Sequence, residues 1–385
     1  MEKIKVLFAK TEAGMGHIVP LTSIKEKFEE KYGDQFDIEF VNFFVDPNTK
    51  AMSKYNKLLI NTVKSQNKCH LYGHATTKAM SFFGTRLSSY FTMRMTVRHI
   101  YRDSLRYLEQ LKPDVVVSSH FATNYYAEHM KNKPLTIMYS PDVIVMKLFA
   151  YRADLVLTPM DYGYNKALES KRFTCDNLKL VDLCLRNQLL TNTLTKEEAA
   201  KDLGIDPSKF TICIADGGYG IGKTLKLLKI CISKNMNVNF VAICGKNEKL
   251  YKEIKQIKEN NKSSVSIYPV SFNEYTINYL IASDIFCGKS GANAIAEAVY
   301  LCKPVIITGC ATDIEDDNAR YYVKEVGCAK RISSYKKIIR EIVRLMNNKD
   351  EYNLLSNNAK KIHKNFGADK AVDEIYKLIK TKLNK

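Results

Sequence analysis

"FCGKSGANAIAEAVYLCKPVIITG", residues 286–309, reads as one strand–helix–strand unit. An apolar strand ends in "GKSGAN", a helix starts at "AIAEA", and "KPVI" opens the next strand. A helix between two apolar strands implies a parallel pair covered on both faces. The same alternation runs outward in both directions. Toward the C-terminal half, strand-like runs fall at 210–215, 238–244, 265–269, 284–287 and 304–308. In the N-terminal half they fall at 3–9, 36–43, 114–119, 135–140, 154–158 and 178–183. The expected fold is therefore α/β, with two doubly wound Rossmann-like domains facing across a cleft. The expected boundaries are 1–185, a linker at 186–209, and 210–365. The linker carries "TKEE", which resembles a capping box before a short helix. An amphipathic helix over 366–385 is expected to pack back on the first domain.

Each half opens with a strand, a glycine turn and a helix: "AGMGH" (13–17) and "DGGYG" (216–220). Such turns let backbone N–H groups approach an anion at a helix N-terminus. Gly217 to Thr224 also fits G-x-x-x-x-G-K-[ST], the phosphate loop of nucleotide hydrolases. That chemistry needs a magnesium-holding carboxylate at the end of another strand. Asp284 begins its strand instead, so Lys223 and Thr224 read as ordinary first-turn helix residues.

The chain has 385 residues, 45% apolar and 26% charged, as an ordinary globular protein does. No apolar run approaches the ~20 residues that span a bilayer, and the N-terminus reads as a strand rather than a signal peptide. Ten cysteines lie scattered, with no C-x-x-C pair. Those at 213, 231, 244 and 287 sit in apolar runs, which suggests buried reduced thiols and the cytosol. The net charge of +18 favours polyanionic partners. Between Asp46 and Asp103 there is no acidic residue but ten basic ones. The later part of that stretch interleaves Phe82, Phe83, Arg86, Phe91, Arg94 and Arg98, a mixture suited to an anionic membrane surface. No nucleic-acid-binding signature accompanies the charge, and no nucleic-acid partner is expected.

The 286–309 segment resembles the donor-binding region of GT-B glycosyltransferases. It is similar to the family containing the peptidoglycan N-acetylglucosaminyltransferase, monogalactosyldiacylglycerol synthases and processive diacylglycerol glucosyltransferases. Their pattern is roughly G-x-S/P-G-x-x-T-x-x-E-A, then G-x-P-x-I. "GMGHIVP" (14–20), "KPDVVVSSH" (112–120), "IMYSPD" (137–142) and "VAICGKNEKL" (241–250) extend the likeness over both halves. The resemblance implies an inverting transfer of a hexose from a UDP-sugar, with no bound metal and no cofactor. It places Gly16, Gly217, Gly218, Gly220, Phe272, Ser290, Gly291, Ala292, Asn293, Glu297, Glu315 and Asn318 at the donor. Glu297 would hold the ribose. Glu315, in "IEDDNA", would meet the sugar, but Ile314 stands where the family carries glutamine. His17 follows the first glycine turn and suits a general base, since imidazole titrates near pH 6.5. Asp142 could orient or replace it, and His120 would line the acceptor site.

The acceptor expected first is diacylglycerol, at the cytoplasmic face of a membrane bound peripherally. A polyprenyl-linked cell-wall precursor taking N-acetylglucosamine comes second. A phosphate-loop hydrolase or kinase and a non-enzymatic nucleotide-sugar binder remain as readings of a different class. Glucose, galactose and N-acetylglucosamine stay open as the sugar.

Overall fold

The computed structural model describes residues 3–11, 15–45, 50–82, 100–145, 153–272 and 276–383. It divides into two units, Met1–Ser65 with Tyr72–Leu190 and Asn365–Lys385, and Gln66–Leu71 with Thr191–Lys364. Each unit carries one six-stranded, fully parallel sheet.

The first sheet contains β1 (Ile4–Lys10), β2 (Phe36–Asn42), β3 (Val115–Ser118), β4 (Leu135–Tyr139), β5 (Leu155–Pro159) and β6 (Leu178–Val181). Their spatial order is β2-β1-β3-β4-β5-β6. Strand side chains alternate between faces. In β1, Ile4, Val6 and Phe8 enter one hydrophobic layer, while Leu7 and Ala9 enter the other. Both faces are buried, which is why β1 reads as an unbroken apolar run. The first layer is closed by helices Met15–Tyr32 and Asp369–Leu383, the second by Tyr101–Leu111 and Phe121–Glu128.

The second sheet contains β7 (Phe210–Ala215), β8 (Val238–Ile243), β9 (Ser266–Val270), β10 (Ile285–Lys289), β11 (Val305–Gly309) and β12 (Ala329–Arg331). Its order is β12-β11-β10-β7-β8-β9. β12 has no counterpart in the sequence reading, because "AKR" is three residues with one apolar side chain. In the 186–209 segment the capping box forms: Thr195 Oγ1 accepts from Glu198 N, and Glu198 Oε2 accepts from Thr195 N. All ten cysteines are free thiols, and those at 213, 231, 244 and 287 are buried. No helix among the described residues is long and apolar enough to cross a membrane.

The Asp369–Leu383 helix is part of the first core rather than an appendage. Ala371, Val372, Ile375 and Ile379 are fully buried against β1-side residues. Tyr376 stacks on Tyr32 at 4.0 Å. Truncating Ile375 to Ala removes buried methylenes and opens a cavity. It should cost about 2–5 kcal/mol, read as a lowered urea midpoint with the slope unchanged.

Candidate active site

In open parallel sheets, ligands bind at the carboxyl ends of the strands where strand order reverses, because the flanking loops diverge there. The first sheet reverses between β1 and β3, and the second between β7 and β10. Both reversal points are occupied by residues the sequence singles out.

After β1 comes His17, in the first turn of the Met15–Tyr32 helix beside half-buried Gly16. After β3 come Ser119 and His120. His17 Nδ1 lies 2.8 Å from the Ser119 carbonyl oxygen, and Ser119 Oγ donates to the His17 carbonyl at 2.9 Å. A carbonyl can only accept, so Nδ1 carries the proton and Nε2 keeps the lone pair. Burial lowers the His17 pKa, and the bond to Ser119 opposes that in part. The partner that orients Nδ1 is therefore a backbone carbonyl. Asp142 is half-buried in the loop after β4.

His120 is the N-cap of the Phe121–Glu128 helix, and its Nδ1 accepts from Ala122 N at 3.3 Å. Its ring lies 5.7 Å from that of His17 and stacks on Phe121 at 4.4 Å. Burial, with the nearby His17 adding to it, pushes its pKa down to about 3. Two neutral imidazoles thus share one crevice. They have opposite tautomers: Nε2 accepts on His17 and donates on His120.

In the second unit, the loop after β7 is a tight turn. Gly220 N donates to Gly217 O, Lys246 N to Gly218 O, and Asn247 Nδ2 to Gly220 O. Gly220 has φ +56°, and a Cβ there would lie 2.1 Å from the Cys244 carbonyl oxygen. Only glycine fits that position. The phosphate-loop likeness ends at Thr224, whose hydroxyl and N–H both donate to Asp216 Oδ2, at 2.6 and 2.9 Å. Lys223 is no ordinary helix residue. Its Nζ donates to the Thr308 and Ser333 carbonyls at 2.5 and 2.7 Å. Asp284 sits at the opposite end of the sheet, accepting from Thr211 N at 2.7 Å and pairing with Lys196.

After β10, Gly291 is the N-cap of the Ala292–Tyr300 helix, with no side chain capping it. The first-turn amides after it have no intrahelical acceptor, which makes this end a place for an anion. Ser290 serves structure here. Its N–H donates to Gly309 O, its hydroxyl to Cys310 Sγ at 3.0 Å, and its carbonyl accepts from Asn318 Nδ2 at 3.4 Å. Ala292, Asn293 and Glu297 are buried on the same helix. Thr312 caps the Asp313–Arg320 helix, its Oγ1 accepting from Glu315 N, and Glu315 Oε2 accepts from Ala311 N just before the cap at 2.5 Å. Phe272 follows β9, half-exposed, with Lys246 Nζ 5.2 Å from its ring centroid.

Phe82 ends the His70–Phe82 helix. Its side chain, with Phe83, Arg86, Phe91, Arg94 and Arg98, lies outside the described residues. The sequence reading passed over Ser119, Asp216 and Lys289. Ser119 acts through its backbone, which no motif encodes, but Lys289 stands inside "GKSGAN".

Residues 221–375 match the glycosyltransferase family 28 C-terminal domain. Over 98% of its length the chain is 23% identical to monogalactosyldiacylglycerol synthase 1 of Arabidopsis thaliana, covering 72% of that protein. It is 20% identical over 273 residues to the processive diacylglycerol beta-glucosyltransferase of Bacillus subtilis, 70% of each chain. The UDP-GlcNAc 2-epimerase of Neisseria meningitidis, solved with UDP-GlcNAc, shares the fold with a TM-score of 0.61 at 15% identity, over 97% of this chain and 100% of that one. The chain has the GT-B fold, and its residues 221–375 are similar to the C-terminal domain of family 28 glycosyltransferases.

Proposed function

We propose that the protein transfers a hexose from a UDP-sugar to diacylglycerol, with inversion, at the cytoplasmic face of a membrane to which it binds peripherally. The observation that carries this reading is the His17–Ser119 bond, which presents an unprotonated ring nitrogen at a strand-order reversal. The named activities of the plant and bacterial relatives support the lipid acceptor. The sugar nucleotide held by the structural neighbour supports the donor.

In this reading His17 Nε2 takes the proton from the acceptor hydroxyl as that oxygen attacks the anomeric carbon. The bond from that carbon to the diphosphate breaks, and UDP leaves with the electron pair. The uncapped amides after Gly291 receive the negative charge without reorganising. His120, neutral and donating from Nε2, holds the acceptor oxygen. Glu297 holds the ribose, and the transfer needs no metal. Basic residues of the acid-free stretch 47–102 supply the attraction to an anionic lipid surface.

The reading is tested with labelled UDP-glucose, UDP-galactose and UDP-N-acetylglucosamine on diacylglycerol vesicles in EDTA, with the lipid product identified. One donor should label diacylglycerol. Calorimetry that detects magnesium-ATP binding and no UDP binding would sink the proposal.

His17→Ala should lower the transfer rate by about 10²–10⁴-fold while UDP affinity measured by calorimetry stays within about twofold. Because burial depresses the His17 pKa, the base stays neutral across the physiological range. The kcat/KM profile should therefore be flat from about pH 8 to the usual imidazole value of about 6.5 and fall only below it. An acid limb centred above that value would contradict the assignment.

Flotation should recover the protein with anionic vesicles and not with zwitterionic ones, and the difference should vanish in molar salt as charges are screened. Equal recovery at low salt would remove the electrostatic part of the proposal.

A further inference from the structure

The donor residues read from the sequence include no cation, although UDP departs with the charge of a diphosphate. A cavity of about 320 Å³ lies at the carboxyl ends of β7, β10 and β11, beside the second reversal point. Asp216, Gly222, Lys223, Lys289, Thr308 and Tyr335 are among its lining residues. We propose that Lys223 and Lys289 hold the diphosphate of the donor in this cavity and receive its charge as the sugar leaves. The inference rests on the donor reading above.

Lys289 is only 5% exposed, and its Nζ donates one bond, to Asn67 Oδ1 at 2.7 Å. Lys223 spends two of its donors on the Thr308 and Ser333 carbonyls. An ammonium has three N–H groups. Buried Lys289 thus keeps two N–H groups without an acceptor among the described residues, while half-buried Lys223 keeps one, its Nζ 5.6 Å from the Tyr335 ring centroid. Burying a cation with its donors unspent is costly, and a phosphate oxygen is the acceptor that offsets the cost best.

Asp216, 2% exposed, lines the same cavity. Its Oδ2 is taken by Thr224, and its Oδ1 meets no donor among the described residues. A Cβ on Gly222 would lie 2.1 Å from the Asp216 carboxyl carbon, so the loop closes only around glycine there. Burial lowers the pKa of both lysines, and the Asp216 carboxylate pulls each back up. One acid against three lysines, Lys68, Lys223 and Lys289, leaves the cavity positive. Asp216 favours the charged form of both Lys223 and Lys289, and the diphosphate completes the neutralisation. During transfer the lysine N–H groups only donate hydrogen bonds. The electron pair goes to the leaving phosphate oxygen, and the acceptor proton stays with His17.

The test is calorimetry of UDP, UMP, uridine and inorganic phosphate on the wild-type protein and on Lys223→Met and Lys289→Met. UDP should weaken about 10–100-fold in each variant, the range for a hydrogen bond to a charged group. UMP should weaken less, and uridine should not change. Lys289→Arg should recover part of the loss. UDP and uridine weakening equally, or UDP unchanged in both variants, would overturn the assignment of the lysines alone. Inorganic phosphate binding as tightly as UDP would also overturn it, since the cavity would then serve a free anion. Wild-type protein that binds no UDP would overturn the donor reading beneath it. If Lys289→Met does not fold, Lys289→Gln is read against the same outcomes.

Discussion

The reversal of strand order within each parallel sheet is the constraint on which the rest depends. Crossovers between parallel strands are right-handed, so a chain that builds outward from its first strand in one direction, then in the other, puts successive helices on opposite faces. The two loops that flank the reversal must part. In the first unit they are the loops after β1 and β3, and in the second those after β7 and β10. Every polar group argued to do chemistry leaves one of those four strands or the strand beside them. No side chain has to be buried for its own sake, because the backbone topology opens the space first.

Backbone carbonyls then fix what the loops present. Ser119 fixes the His17 tautomer through its main chain, and Thr308 and Ser333 clamp Lys223 in the same manner. The phosphate-loop pattern at 217–224 shows how little a motif settles without these partners. In a nucleotide hydrolase the threonine hydroxyl holds magnesium and the lysine reaches the terminal phosphates. Here the hydroxyl is given to Asp216, and the lysine is bound to two carbonyls. The glycines do similar steric work in either case, but the charges around them differ.

The sheets were legible because both faces of their eight inner strands are buried. Runs such as "FTICIA" carry no polar alternation to blur them, and the strand stands where the run does. The Thr195–Glu198 capping box was legible because it is local, three residues apart. β12 was hidden because its register is supplied by β11 rather than by its own side chains. Glu315 was read toward the sugar from its motif alone, and the bond its carboxylate takes from Ala311 N, just before its helix, was not legible there. Asp216 and Lys289 escaped notice because their meaning is relational. Each is a single charged residue at a strand end, and only the sheet order places them in one cavity.

Burial lowers the pKa of the buried bases in both units, and only the second adds a carboxylate beside them, a division that suits a transfer reaction. In the first, desolvation keeps two imidazoles neutral, so one can accept a proton and the other can donate a hydrogen bond. In the second, desolvation lowers the pKa of the lysines, but a buried carboxylate opposes it. Proton acceptance needs a group that loses little by staying uncharged. Leaving-group stabilisation needs charge already in place before the bond breaks. An acid beside His17 would raise its pKa and weaken the first requirement. Removing Asp216 from beside the lysines would lower theirs and weaken the second. Buried Asp216 therefore belongs with the cations of the second unit, and a neutral carbonyl stands behind His17 Nδ1.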